Sequence, residues 1–332
     1  KINFICVFVS VIYILREIIP FQSMKYAIID LGTNTFHLLI IEQNPDGIIP
    51  LFKTQIPAKI GKAGINQGII TEEATQRALN VLSQFRQRIN EFGVELSNTK
   101  AIGTSAIRNA KNAKEFCATD KNETELTIDI ISGDREAELI YHGVRQGIAL
   151  GEKISVIMDI GGGSVEFIIC NASRIFWKQS FEIGGQRLLE QFVLTDPISP
   201  SAIRRMNDYF QEQLLPLVNA AHQYAPQTLV GSSGSFDTLV DMDFMHRLGH
   251  LPNPSQTGFE IATEELFRAY HLITTQSHHD RITIPGMIEL RVDMIVPGVV
   301  LIDHVLRSLN IQQIRSSTYA LKEGIMAWVL SA

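Results

Sequence analysis

Two carboxylates in the chain are each followed at once by a glycine turn. Asp30 leads into Leu31, Gly32, Thr33, Asn34 and Thr35; Asp159 leads into Ile160, Gly161, Gly162, Gly163 and Ser164. Apolar runs flank both turns, and the run after the second carries another carboxylate, Glu166. Aligned, Asp30 falls on Asp159, Gly32 on Gly161 and Thr35 on Ser164. A glycine turn can present peptide N–H groups to an anion, and a carboxylate beside it can hold a cation. A hairpin whose Asp merely caps a turn needs no such role. The repetition is what sets these two apart, and it predicts two related half-structures facing one another.

The elements around these residues follow from periodicity and punctuation. Lys25–Ile29, Phe36–Ile41 and Leu51–Ile56 read as strands, with NPDG at 44–47 as a turn. Thr71 with Glu72 and Glu73 opens a helix whose apolar positions Ala74, Ala78, Leu79, Leu82 and Phe85 share one face. A short strand at 100–103 precedes a helix over TSAIRNAKNAKEF. A strand at 125–131 then leads to a helix capped by Asp134. After the second hairpin the same grammar recurs: a strand ending near 181–185, a helix over GGQRLLEQF, and a polar helix over about 201–221. A strand at 228–230 then opens onto GSSGS, 231–235. Later helices are broken by Pro252, Pro254 and Pro285, and a last helix spans about 318–330. The alternation predicts a mixed α/β fold divided near 147–153, into a first domain at 24–147 and a second at 148–332.

The bulk numbers narrow the function classes. A chain of 332 residues that is 45% hydrophobic and 19% charged has enough apolar mass for two cores. A net charge of −6 without a Lys/Arg block argues against a nucleic-acid surface. Cys6, Cys117 and Cys170 are odd in number and far apart, with no disulfide or zinc spacing, which fits a reducing cytoplasm. Residues 1–23 are unlike the rest. Ile2–Leu15 is apolar, but a spanning helix needs about 20 such residues, and no convincing cleavage site follows. The segment reads as an upstream extension before Met24, with a membrane anchor or signal as the alternative.

Eight stretches, taken in order, resemble the exopolyphosphatase/guanosine pentaphosphate phosphohydrolase (Ppx/GppA) family of the actin–Hsp70–sugar kinase superfamily. They are AIIDLGTNTFHLLI, IGTSAIRNA, ISGDREAELIYHGV, VIMDIGGGSVEF, EIGGQRLLEQF, LVGSSGS, VDMIVPGVVLI and TYALKEGI. Neither glycine loop has the P-loop or Rossmann spacing, since each joins two strands. The resemblance implies two related actin/ribonuclease H-like domains with a cleft between them, in the family's short two-domain form, the final helix returning to the first domain. It implies hydrolysis of terminal phosphoanhydride bonds, releasing orthophosphate from polyphosphate or guanosine pentaphosphate. Such a reaction needs donors for the phosphoryl group, a cation and a base for water.

By that resemblance, Gly32–Thr35 and Gly161–Ser164 bind phosphate. Asp30, Asp159 and Glu166 take Mg²⁺ or Mn²⁺, Arg108 binds phosphate, and Glu136 activates water. Glu136 stands in an expected first helical turn, where the helix dipole would keep it ionised and weakly basic. Asp134 and Glu138 are close enough in sequence to be confused with it. Gly231, Ser232, Ser233 and Gly234 either contact substrate or pack the second half. Lys59 and Lys62 are candidates for lining the substrate channel. SHHDR at 277–281 reads as a solvated loop rather than a metal site, and Arg291 and Asp293 as structural contacts. A homodimer is compatible with the family. A non-hydrolytic guanosine-polyphosphate or nucleotide binder, or an ATPase of the same superfamily, is the alternative.

Overall fold

The structure, a computed structural model, describes residues 23–192 and 195–331. Residues 1–22 lie outside it, so the reading of the upstream extension falls beyond the described residues. Two sheets carry the fold. The strands of the first are β1 (Met24–Leu31), β2 (Thr35–Asn44), β3 (Gly47–Pro57), β4 (Thr99–Gly103) and β5 (Ile128–Ile130), in the order β3-β2-β1-β4-β5. Its helices are α1 (Glu72–Glu91), α2 (Ser105–Arg108), α3 (Ala113–Thr124) and α4 (Gly133–Gly147).

The second sheet has β6 (Ser155–Ile160), β7 (Val165–Cys170), β8 (Ile175–Phe181), β9 (Thr228–Ser232), β10 (Gly258–Ile261) and β11 (Gln313–Ser317). Their order is β10-β11-β9-β6-β7-β8. Its helices are α5 (Gly185–Phe192), α6 (Pro200–Gln213), α7 (Leu215–Tyr224), α8 (Gly234–Leu248), α9 (Thr263–Thr275), α10 (His278–Arg281), α11 (Ile295–Leu309) and α12 (Leu321–Ser331). Read from β3 and from β8, the two sheets have one topology. An antiparallel hairpin, β1-β2 or β6-β7, is joined on its other side by a parallel strand, β4 or β9. The repeat in the sequence is therefore a repeat in space, and the α/β arrangement of two related halves is what the structure has.

Each sheet has its own core. Ile29, Leu31, Phe36, Leu82 and Phe85 centre the first, and Phe167, Met206, Phe210 and Phe236 the second. A third core joins the halves: Ile28 and Leu39 from one sheet, Ile157 and Ile168 from the other, and Leu139, Ile140 and Ile325 from α4 and α12 between them. Those two helices touch backbone to backbone. A Cβ on Gly324 would lie 1.8 Å from the Leu139 carbonyl oxygen, and one on Gly143 would lie 1.9 Å from that of Ala320.

Several element boundaries differ from expectation. The cap of α4 is Ser132, whose hydroxyl accepts from the Arg135 N–H at 3.2 Å; Asp134 is exposed in the first turn. The helix expected over 104–116 is two, α2 and α3, because the chain turns at Asn109–Asn112, where Asn112 bonds both ways with the Ile70 backbone. The polar helix over 201–221 breaks at Leu214, just before Pro216, which has no N–H to continue it.

Candidate active site

The two glycine turns meet. A Cβ on Gly162 would stand 2.6 Å from Asn34 Nδ2, and one on Gly163 would stand 2.5 Å from Thr33 Oγ1. Only glycine lets the second loop approach the first this closely. Outside each loop, the chain takes the carbonyls. Those of Thr33 and Asn34 accept from Gly61 and Lys59 N–H at 3.0 and 2.8 Å. Those of Gly161, Gly162 and Gly163 accept from Gly185, Gln186 and Gly184 at 3.0, 2.8 and 3.2 Å. A trans peptide points its N–H opposite its carbonyl. With the carbonyls turned outward, the N–H groups of Asn34, Thr35, Gly162, Gly163 and Ser164 turn toward the cleft. Thr35 Oγ1 and Asn34 Oδ1 are buried there without a partner. The two turns form a cradle of inward-facing donors.

Around the cradle stand four carboxylates, of which Glu136, Asp159 and Glu166 are buried and Asp30 is half-buried. Register places Asp30 opposite His37 and Asp159 opposite Glu166. Asp30 Oδ1 has no partner, and burial, with repulsion from Glu136 and Asp159, pushes its pKa up to about 7. Asp159 is held: Ser232 Oγ donates to Oδ2 at 2.6 Å, and Ser233 Oγ lies 2.8 Å from both oxygens. Glu166 is 1% exposed and accepts from Ser180 Oγ at 2.7 Å; burial holds its carboxyl well above the ordinary range. Glu136 enters from the first turn of α4, 2.6 Å from Arg108 Nη1. Burial, opposed by Arg108, pushes it up to about 7. The helix-dipole expectation of a strongly acidic Glu136 is corrected here: a 6% exposed side chain loses more solvation than the dipole and the guanidinium return. Of its neighbours, Asp134 is exposed, and Glu138 pairs outward with Arg135 and Lys178 at 3.1 and 3.4 Å.

A model of the Ppx/GppA phosphatase family matches residues 39–331. The chain belongs to the Ppx/GppA phosphatase family. A crystal structure of an exopolyphosphatase from Cytophaga hutchinsonii superposes with a TM-score of 0.89 at 42% identity, covering 93% of this chain and 98% of that one. A Haemophilus influenzae protein provisionally named an exopolyphosphatase is 30% identical over 303 residues, 91% of this chain and 90% of its own. A guanosine-5'-triphosphate,3'-diphosphate pyrophosphatase of Photobacterium profundum is 28% identical over 310 residues, which are 93% of this chain and 60% of that relative's length. The resemblance read from the eight motifs is borne out.

For a Ppx/GppA protein the remaining question is the cation. Among the described residues, no three His, Cys, Asp or Glu side chains converge closely enough to enclose a metal unaided. Mg²⁺ seldom asks for that, since it keeps waters and takes one or two carboxylates plus substrate phosphate. The unpartnered Asp30 oxygen beside the cradle fits such a site, and Asp159 and Glu166 line the same cleft. Asp159, gripped by two serines, is the more rigid member.

Other assignments change. In Gly231–Gly234 the serines fix Asp159, Ser233 and Gly234 also line the cleft, and a Cβ on Gly234 would sit 1.9 Å from Arg291 Cζ. Arg291 itself lines the cleft instead of bracing the second core, and Asp237 faces it from α8, half-buried and pushed up by desolvation to about 6. Lys59 and Lys62 do not line the cleft, whereas Lys53 and Lys322 do. SHHDR is solvated at His278, His279 and Asp280 but is not a loop. It forms α10, with Arg281 buried against Asp196 at 2.8 Å and His278 Nδ1 2.7 Å from Asp293. Glu182, inside the EIGGQRLLEQF stretch, carries a contact between the halves. It accepts from Ser105 Oγ at 2.6 Å, Arg108 Nη2 at 3.2 Å and Arg187 Nη2 at 2.9 Å, tying the halves together beside Glu136. No local spacing marks it; only the sheet-to-sheet contact does.

Proposed function

We propose that this chain is a Mg²⁺-dependent phosphoanhydride hydrolase that removes terminal orthophosphate from inorganic polyphosphate or guanosine pentaphosphate. The observation that carries the reading is that two inward-turned N–H loops line one cleft with Asp30, Glu136, Asp159 and Glu166, Arg108 holding Glu136 from behind. The loops would hold the oxygens of the terminal phosphoryl group, and the Arg108 fork would share their charge. Glu136, poised near neutrality, would take a proton from water as its oxygen bonds to phosphorus. The bridging P–O bond breaks, and the shortened chain leaves with that oxygen and its electron pair. Mg²⁺ held at Asp30 and Glu166 would supply charge neutralisation. Burial of the acids and exclusion of bulk water strengthen every contact in the cleft, which encloses about 1080 Å³.

Among the described residues no helix is long and apolar enough to cross a membrane, and a cytoplasmic setting remains part of this proposal. The test is orthophosphate release from long-chain polyphosphate and from guanosine pentaphosphate with Mg²⁺. Glu136→Gln should lower kcat by about 10²–10⁴ while the variant still binds the anion. Release unchanged by this substitution would remove Glu136 from the reaction; nucleotide binding with no release from either substrate would return the chain to the binder reading.

A further inference from the structure

Glu182 follows β8 directly, on the turn that leads into α5. That turn is pressed against the second glycine loop. A Cβ on Gly184 would lie 2.5 Å from the Gly162 carbonyl oxygen, and the Gly184 N–H donates to the Gly163 carbonyl at 3.2 Å. Ile183 is buried beside it. The backbone under Glu182 is therefore fixed, while its side chain is 40% exposed. From there the carboxylate reaches across to α2 of the first half. Its Oε2 accepts from Ser105 Oγ at 2.6 Å and from Arg187 Nη2 at 2.9 Å, and its Oε1 accepts from Arg108 Nη2 at 3.2 Å. Arg187 is anchored in turn: Nε donates to the Gly163 carbonyl at 2.9 Å and Nη1 to that of Ile65 at 3.0 Å. Against the cost of partial burial, hydrogen bonds from Ser105 and Asn109 and the charges of Arg187 and Arg108 hold the Glu182 carboxyl below its ordinary range, so it is ionised at neutral pH.

This carboxylate decides what Arg108 can do with Glu136. A guanidinium can give two parallel N–H groups to one carboxylate, and that bidentate pairing is the stronger arrangement. Here the fork is split. Nη1 lies 2.6 Å from Glu136 Oε2 and 3.4 Å from the Ile131 carbonyl, while Nη2 is on Glu182. Arg108 thus takes one oxygen of Glu136 and leaves Oε1 to the cleft that Glu136 lines. A base that takes a proton from water needs an oxygen not already claimed by a cation. With Nη2 released, the fork could close on both oxygens of Glu136. It would then occupy the second lone pair and strengthen the pull by which Arg108 already opposes the effect of burial on that carboxyl.

We infer that Glu182 is a positioning residue for the hydrolysis: anchored on Ser105 and Arg187, it holds the second nitrogen of Arg108 and so keeps the guanidinium on one oxygen of Glu136, the other being left for water. The inference rests on the hydrolase reading above, with Glu136 as base. A carboxylate that only tied the halves together would act on stability and on substrate grip, not on the base.

The experiment compares the full chain with Glu182→Gln and Glu182→Ala, measuring orthophosphate release from long-chain polyphosphate with Mg²⁺. Glu182 is exposed at a strand end, so both variants keep the fold. Glutamine has one acceptor oxygen for the two donors Ser105 and Arg187, and an amide nitrogen cannot accept from Arg108. Both variants should therefore lose kcat by about 10–100-fold, the range set by one charge-assisted hydrogen bond and by a small misplacement of a reacting group. KM should not rise, since the glycine loops keep their backbone bonds. In a Glu136→Gln background the further loss from Glu182→Gln should fall below about twofold, because groups that act through one another are not additive. Wild-type kcat in Glu182→Gln, a rise in KM alone, or the same fold-loss in the Glu136→Gln background overturns the inference. If the wild type releases no orthophosphate, or Glu136→Gln does not slow it, the hydrolase reading with this base fails instead. Crystal structures of wild type and Glu182→Gln then decide the positioning alone. Arg108 closing both nitrogens on Glu136 in the variant supports it, and Arg108 unmoved overturns it.

Discussion

At the turn of the first hairpin His37 faces Asp30; at the turn of the second, Glu166 faces Asp159. The next strands diverge in the same sense. β4 sets Ile102 beside Asp30, while β9 sets Ser232 beside Asp159. One topology has therefore been given two chemistries. In the second half, hydroxyls grip the aspartate and a further acid backs it. In the first half, one aspartate oxygen is left without a partner, and the face beyond it carries a neutral imidazole, His37, and a lysine, Lys53. Duplication supplied two turns of one shape; the residues opposite and beside each aspartate give them different polar surroundings.

The contrast can be broken at the aspartates. Asp30→Asn removes the unpartnered oxygen and should weaken Mg²⁺ activation most, by well over tenfold. Ser232→Ala leaves Asp159 charged but less firmly aimed, and should weaken it by about tenfold, as loss of a supporting hydrogen bond does at metal sites. Mg²⁺ titrations of phosphate release measure both; equal effects would mean the two halves share the cation evenly. A smaller effect sharpens the role of the element that has no counterpart in the repeat. Gly324→Ala forces a methyl into the Leu139 backbone and should cost about 1–3 kcal/mol in chemical denaturation.

A further expected effect is a slope with pH. In the folded chain Asp30 and Glu136 keep protons up to about 7, whereas their ordinary values are 3.8 and 4.5. The folded state then binds more protons between those limits, so metal-free stability should fall as pH rises from about 4 to about 7 and level beyond. Denaturant midpoints measured with a chelator at several pH values test this, and Mg²⁺ should flatten the slope.

The cradle was legible in the sequence because its parts are local: an aspartate, a glycine turn and a hydroxyl within six residues, written twice. Glu136 was legible through its motif, although its basicity was not, because burial is a property of α4 against both sheets. The cleft lysines were misplaced for the same reason. Lys59 and Lys62 lie near glycines in the sequence, but Lys53 reaches the cleft through strand register and Lys322 through a helix at the far end of the chain. Glu182 depends on contacts across more than seventy residues. The breaks at Asn109–Asn112 and Leu214 were hidden because helical periodicity survives a one-turn interruption.

The packing of α12 on β1 and α4 bears on how the protein is made. β1 is the first described strand to be synthesised, and α12 is the last helix. Until residues near 321–331 have emerged, the core between the halves lacks Leu321 and Ile325, and the cleft lacks Lys322. Each sheet can gather its own apolar face during synthesis, but their union waits for α12, the kind of long-range closure that slows folding and leaves surface exposed meanwhile. A ribosome-bound chain stalled before α12 would therefore present two half-sites and no working cleft.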